Sequence, residues 1–90
     1  MTRTPVTTGQ FRKDVQRLRK QGKDLATLRE VMAKLVTGAT LQQRFRDHKL
    51  KGAWGGRREC HIEPDCLLIY VVKSTEVIFE RLGSHSDLFE

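Results

Sequence analysis

Apolar residues in the first forty positions recur every three to four places. Phe11, Val15 and Leu18 share one face of a helix running from Phe11 to about Gly22, with Thr7 or Thr8 placed to cap its start and Gly22 to stop it. From Asp24 a broader stripe of Leu25, Leu28, Val31, Met32, Leu35 and Val36 predicts a second helix, with Asp24 as its N-cap and Gly38 just past its end. A tight turn joins the two. The segment LQQRFRDHKLKGAWGGRR keeps no period and contains Gly55-Gly56, so it reads as a loop with a short strand near Asp47 to Leu50. Beyond it the period falls to two. Arg57 to Glu63, Cys66 to Lys73 and Glu76 to Leu82 are expected strands of an antiparallel meander, divided by Pro64-Asp65 and Lys73-Ser74-Thr75. A short strand around Thr4 to Thr7 is expected to join the sheet, and GSHSDLFE to form one helical turn after Gly83. The pattern predicts a single α+β domain, residues 1–90, with two N-terminal helices packed on one face of a small, mainly antiparallel sheet.

Strand alternation then assigns faces. Arg57, Glu59, His61 and Glu63 point one way and Arg58, Cys60 and Ile62 the other. On the last strand Val77, Phe79 and Arg81 are expected opposite Ile78, Glu80 and Leu82, while CLLIYVV reads as buried on both sides. With the helices covering one face, the charged stretch RRECHIEPD is expected to line an open concave surface beside the core, where it needs no burial.

Charge narrows the partners. Lys and Arg number 17 against 11 Asp and Glu, giving a formal net charge of +6 and a sequence pI of about 9.8. That balance favours a polyanion through counterion release, nucleic acid first and an acidic protein second. No apolar run approaches the roughly 18 to 20 residues of a membrane span, and MTRTPVTTGQ has no apolar signal segment, so a soluble cytoplasmic protein without a membrane partner is expected. Cys60 and Cys66 lack the pairing of a zinc site or a disulfide framework and are expected as free thiols.

The candidate chemistry lies in the second half. His48, His61 and His85 fall in the loop before the sheet, on the first meander strand and in the tail, positions that can converge on the open face. Singly, each is the kind of surface histidine that is solvated or structurally paired. Glu59 and Asp65 can pair with Arg57, Arg58 or Arg81 as exposed ion pairs, which stabilise little. Trp54 suits a core, a lid or a base-stacking platform, and its Gly-rich setting is expected to expose it. Phe89 either clamps the tail or stacks on a base. The run RTPVTTGQFRKDVQRLRKQGK reads as the solvated side of the first helix and an attractor for phosphates.

The ordered set DHKLKGAWGGRRECHIEPDCLLIY followed by FERLGSHSDLF resembles the YafQ branch of the RelE superfamily, the toxins of bacterial type II toxin-antitoxin systems. The likeness spans nearly the whole chain, including the opening GQFRKDV, and its joint order and spacing are what make it specific. It implies a RelE-like, microbial RNase-like fold and a ribosome-dependent mRNA endonuclease, with mRNA in the ribosomal A site, the ribosome and a cognate antitoxin as partners and no cofactor or metal. Position by position, His48 matches the family's DHxL segment, His61 and Asp65 its HxEPD segment, and Arg81, His85 and Phe89 its FERxGxHxxLF ending. Glu59 stands where an aspartate is common and Cys66 where a tryptophan is common. Cleavage by the RNA's own 2′-hydroxyl needs a base, cations for the phosphoryl oxygens and an acid for the departing 5′-oxygen. The implied assignments are His85 as acid, His48 or Glu59 as base, Arg81 with His61 as phosphate stabilisers, and Asp65 as an orienting partner. Phe89 is the base-positioning ring, with Arg57, Arg58 and Trp54 as further substrate contacts. Two other readings compete: a gyrase-directed, protein-binding toxin of a related branch that generally lacks this histidine set, and a non-catalytic RNA- or ribosome-binding module consistent with the charge alone.

Overall fold

The Thr8 hydroxyl accepts the Phe11 amide at 3.0 Å, and helix α1 (Gly9–Lys20) begins behind it. Helix α2 (Ala26–Thr37) follows the expected turn. Asp24 caps it from one place further out than expected, its Oδ1 accepting the Ala26 amide at 2.9 Å. Gly38 ends it in the left-handed conformation, φ 81°, which a side chain would resist. The computed structural model describes residues 2–89; Met1 and Glu90, the outermost residues of the expected domain and tail, lie outside it. Five strands follow the expected places: β1 (Thr4–Thr7), β2 (His48–Lys49), β3 (Arg58–Glu63), β4 (Cys66–Val72) and β5 (Glu76–Gly83), with α3 (His85–Phe89) after them. The sheet order is β1-β5-β4-β3-β2, antiparallel except for the β1–β5 pair. No described helix is long and apolar enough to cross a membrane.

The apolar stripes of α1 and α2 meet one face of this sheet. Phe11, Leu18, Leu28 and Val31 pack on Cys60, Leu68, Tyr70 and Phe79, and the Phe11 and Phe79 ring centroids lie 5.9 Å apart. Burying each large side chain stabilises by roughly 1.5 to 3 kcal/mol. Phe45, in a short 3₁₀ turn (Gln43–Phe45), closes this core from the loop.

Two expectations about faces are corrected. Ile69 pairs with Arg81 but Tyr70 with Phe79, so Glu80 is an extra residue bulged out of β5. The bulge shifts the alternation by one, and Leu82 joins Val77 and Phe79 in the helix-side core, away from Arg81. The second face is not open either. Leu67, Ile69 and Leu88 form a second buried cluster there, with Leu50, Trp54 and Phe89 packed against it. Helix α3 lies on this cluster, its start fixed reciprocally: Ser84 Oγ accepts the Asp87 amide at 3.1 Å while Asp87 Oδ2 accepts the Ser84 amide at 3.0 Å.

Beyond β1, the outer edge of β5 is completed by side chains of α1. The Leu82 amide donates to Asp14 Oδ2 at 3.0 Å and its carbonyl accepts from Arg17 Nη2 at 3.1 Å, so an acid and a base three residues apart stand in for a strand. Asp14, fully buried, also accepts from Arg81 Nε at 2.9 Å and Arg17 Nη1 at 2.8 Å. Burial pushes the Asp14 carboxyl up, but the Arg81, Leu82, Arg17 and Gln10 donors together outweigh it and hold it below the usual carboxylate range.

Asp14→Ala leaves the Arg81 guanidinium, one arm of Arg17 and a strand amide without their acceptor and is expected to cost about 3 kcal/mol in urea unfolding. Because the folded pKa lies below the unfolded one, Asp14's contribution is complete above the ordinary carboxylate value and fades as pH falls through the folded value. Stability curves of wild type and variant are therefore expected to converge in acid. Parallel curves down to the lowest accessible pH would remove Asp14 from this role.

Candidate active site

The approach to the site is pinned from the helix side. The Tyr70 hydroxyl donates to the Asp47 carboxylate, and Arg58 Nε donates to it at 3.1 Å. Arg46, just before, takes the left-handed conformation at φ 49°, and its carbonyl lies 2.6 Å from His48 Nδ1. β2 then pairs with β3, setting His48 opposite Glu59.

Strand register carries that alignment across the sheet. Glu59 is opposite Ile69 and Ile69 opposite Arg81, so His48, Glu59, Ile69 and Arg81 form one cross-strand row, with His61, Leu67 and Gly83 as the next. At about 5 Å per strand, the backbones of His48 and Arg81 are roughly 14 Å apart. Glu59 Oε1 lies 3.3 Å from His61 Nε2 and 4.0 Å from His48 Nε2, and the two imidazole centroids are 6.4 Å apart. Glu59 was expected on a wet face; it is 7% exposed, because the second apolar cluster and the two imidazoles close over it. His48 remains exposed and His61 half-buried.

The tail supplies the other end. A Cβ on Gly83 would meet Arg17 Nη2 at 2.9 Å and Asp87 Oδ2 at 3.1 Å, so a side chain there would have to displace the guanidinium from Leu82 and Asp87 where the chain turns into α3. His85 is exposed on that helix with its ring centroid 4.8 Å from Phe89. Phe89 meets Trp54 edge-on at 5.3 Å, and the Arg57 guanidinium lies 5.5 Å over the indole while its Nε donates to Glu80. Trp54 is thus half-buried rather than exposed, since Phe89 and the Leu67–Ile69–Leu88 cluster cover it.

His48, Glu59, His61, Arg81, His85, Phe89, Trp54 and Arg57 therefore belong to one face. Arg58 does not join them; it is opposite Tyr70 in register and tied to Asp47. Asp65 sits exposed in the β3–β4 turn, lining a groove of about 290 Å³ with Leu18, Lys23, Ser84 and Asp87. Cys60 and Cys66 are free, and burial pushes their thiols up to about 12 and about 11. Among the described residues no group of three or more His, Cys, Asp or Glu is arranged to hold a metal ion. Two residues that matter here were missed in the sequence. Asp14 had a signal, a lone acid inside the Phe11–Leu18 stripe; the backbone conformation of Arg46 had none.

Residues 3–90 match the model of the family described as the bacterial toxin of type II toxin-antitoxin system, YafQ. The chain is 40% identical over 83 residues to the mRNA interferase toxin YafQ of Escherichia coli K12, covering 91% of this chain and 90% of that one. It superimposes on a copper-bound mutant toxin from Helicobacter pylori with a TM-score of 0.93, 45% identity and coverage of 99% and 100%. Against the E. coli DinJ-YafQ toxin-antitoxin complex the TM-score is 0.92 at 37% identity, with both chains fully covered.

Trp54, the single tryptophan, reports this packing. Phe89→Ala removes its edge-on partner and is expected to red-shift its emission and raise acrylamide quenching, with a stability loss of about 1 kcal/mol for a half-buried ring pair. Unchanged emission would mean that the tail is not seated on Trp54.

Proposed function

We propose, from the premise that this chain belongs to the YafQ family of bacterial type II toxins, that it is a ribosome-dependent mRNA endonuclease. The observation that carries the reading is two imidazoles against one buried carboxylate, with Arg81 in the same cross-strand row and His85 on the adjoining helix. His48 is the better base. It is exposed and Glu59 is not, so an incoming 2′-hydroxyl meets the imidazole first. As His48 takes the proton, Glu59 balances the new charge from 4.0 Å. The 2′-oxygen attacks phosphorus, and the bond to the 5′-oxygen breaks as His85 supplies its proton. Arg81 spends Nε and Nη2 on Asp14, leaving Nη1 for a phosphoryl oxygen beside His61. Phe89 and Trp54 offer aromatic surface for an unstacked base, and Arg57 a cation at its edge.

These groups supply base, acid and cations from side chains alone, so the reaction is proposed to need no metal. Positioned acid–base groups contribute roughly 10² to 10⁴-fold, which leaves much of the rate to the holding of mRNA in the decoding site. The E. coli relative is described in complex with its antitoxin DinJ, and a cognate antitoxin is proposed here too, drawn by the +6 charge.

On induced expression, primer extension is expected to show cuts inside translated reading frames, and intact messages with blocked DNA supercoiling would favour the gyrase reading. His85→Ala is expected to slow cleavage by about 10²-fold or more while the protein still pellets with ribosomes. With magnesium kept at the level that ribosomes need, a chelator selective for transition metals is expected to leave the rate unchanged; loss of cleavage that zinc or copper restores would place such a metal in the reaction. For the antitoxin, stopped-flow association is expected to slow steeply with added salt, and a salt-indifferent rate would exclude electrostatic steering.

A further inference from the structure

Arg46 is the residue other than glycine whose φ is positive among those described. It follows the Gln43–Phe45 turn in the left-handed region, φ 49° and ψ 45°, and its amide closes that turn on the Gln43 carbonyl at 3.0 Å. Phe45, 2% exposed, anchors the turn in the core. Arginine is not a residue that favours this conformation, and such strain persists where the surroundings enforce it. Its effect is to aim the Arg46 carbonyl at His48, whose Nδ1 lies 2.6 Å away. A carbonyl oxygen only accepts, so the proton in that contact is on Nδ1. Nε2 is then the bare nitrogen of the neutral ring, the one nearer Glu59.

We infer that Arg46 is a positioning residue whose left-handed backbone holds neutral His48 in the Nδ1–H form, leaving Nε2 as the proton acceptor. The effect runs through the Arg46 carbonyl and not its guanidinium. An unconstrained neutral histidine carries its proton mainly on Nε2, so without this contact the ring would present a donor where the reaction needs an acceptor. In the step itself the 2′-O–H bond breaks, the Nε2–H bond forms, and the electron pair left on oxygen forms the new bond to phosphorus. That consequence rests on the proposed role of His48 as base, whereas the tautomer is a property of the chain alone.

Long-range proton–nitrogen correlation spectra of the full ¹⁵N-labelled chain, at a pH where the rings are neutral, read the tautomer directly. A protonated Nδ1 and bare Nε2 for His48 are expected; a majority Nε2–H form overturns the inference. Arg46→Gly keeps the left-handed conformation and is expected to keep the tautomer, whereas Arg46→Val, β-branched, disfavours it and is expected to move the proton to Nε2. Both variants lack the guanidinium. Their difference therefore reports the backbone: kcat on ribosome-bound mRNA is expected at least about tenfold lower for valine than for glycine, with KM shared. A common tautomer and a common kcat in the two variants would overturn the role of Arg46. Should the valine variant not fold, Arg46→Ala, which also disfavours the left-handed conformation but adds no β-branch, takes its place in both comparisons. If the wild type shows Nδ1–H but cuts no message, the endonuclease reading falls and the tautomer assignment stands.

Discussion

Where β1 stops pairing, half of β5 would be left with an open edge, and a buried carboxylate takes the place of the missing strand. β1 has four residues and β5 eight, so the chain after Phe79 needs other partners for its amides and carbonyls. Thr8 serves Glu80 through its hydroxyl at 2.9 Å, and Asp14 with Arg17 serves Leu82. The rest of the site hangs from this seam. Arg81 is oriented by Asp14, Gly83 is pressed under Arg17, and Arg17 reaches Asp87 at 3.6 Å at the start of α3. Each of the groups that meet the proposed phosphate from this side thus owes its place to an acid on the far side of the sheet.

Elements with a strong local period were legible in the sequence. The stripes of α1 and α2, the three meander strands and even Thr4–Thr7 appear within about two residues of their expected places. The bulge at Glu80 was not legible, because one extra residue leaves hydrophobicity unchanged and shows only in the three-residue spacing of Phe79 and Leu82. Leu67 and Ile69 were expected inside, but what covers them, Leu88 and Trp54, comes from remote segments that no local pattern ties to the sheet. The same gap hid the burial of Glu59. His48, His61, Arg81 and His85 could be picked out by ordered spacing; how far each is tied to a neighbour is a matter of register, which spacing does not encode.

A chain of ninety residues can hold so many ionisable groups at the mouth of its core because Glu63 and Asp65 stay in water and the acids drawn out of water are partnered. Asp14 has two guanidinium groups and an amide, Asp47 has Tyr70 and Arg58, Glu80 has Arg57, and Glu59 has the His61 imidazole at 3.3 Å. Such pairs add little net stability, since desolvation offsets most of their attraction, but breaking one exposes the full cost of an uncompensated charge. They consequently fix geometry more than they raise stability. Asp47 shows the difference: burial, then its hydrogen bond, pushes the Tyr70 hydroxyl well above its usual range, and the pair locks the chain entering β2.

This pairing separates the two site-face guanidinium groups from the exposed cations elsewhere. Arg57 and Arg81 on the site face are bound to carboxylates, while Lys13, Arg19 and Lys20 of α1 are exposed and make no described ion pair on the opposite side of the sheet. Long-range attraction for a polyanion therefore acts through α1 and through the exposed Arg44, Arg46, Lys49 and Lys51 around β2, while Arg57 and Arg81 are neutralised at short range. On the proposed reading, a phosphate entering the site has to compete with Glu80 for Arg57 and to take the share of Arg81 that Asp14 leaves. Free RNA in water gains little from that exchange. A strand already held against the site loses less entropy in making it, so the same local neutralisation that stabilises the fold makes the proposed chemistry depend on a partner that presents the RNA.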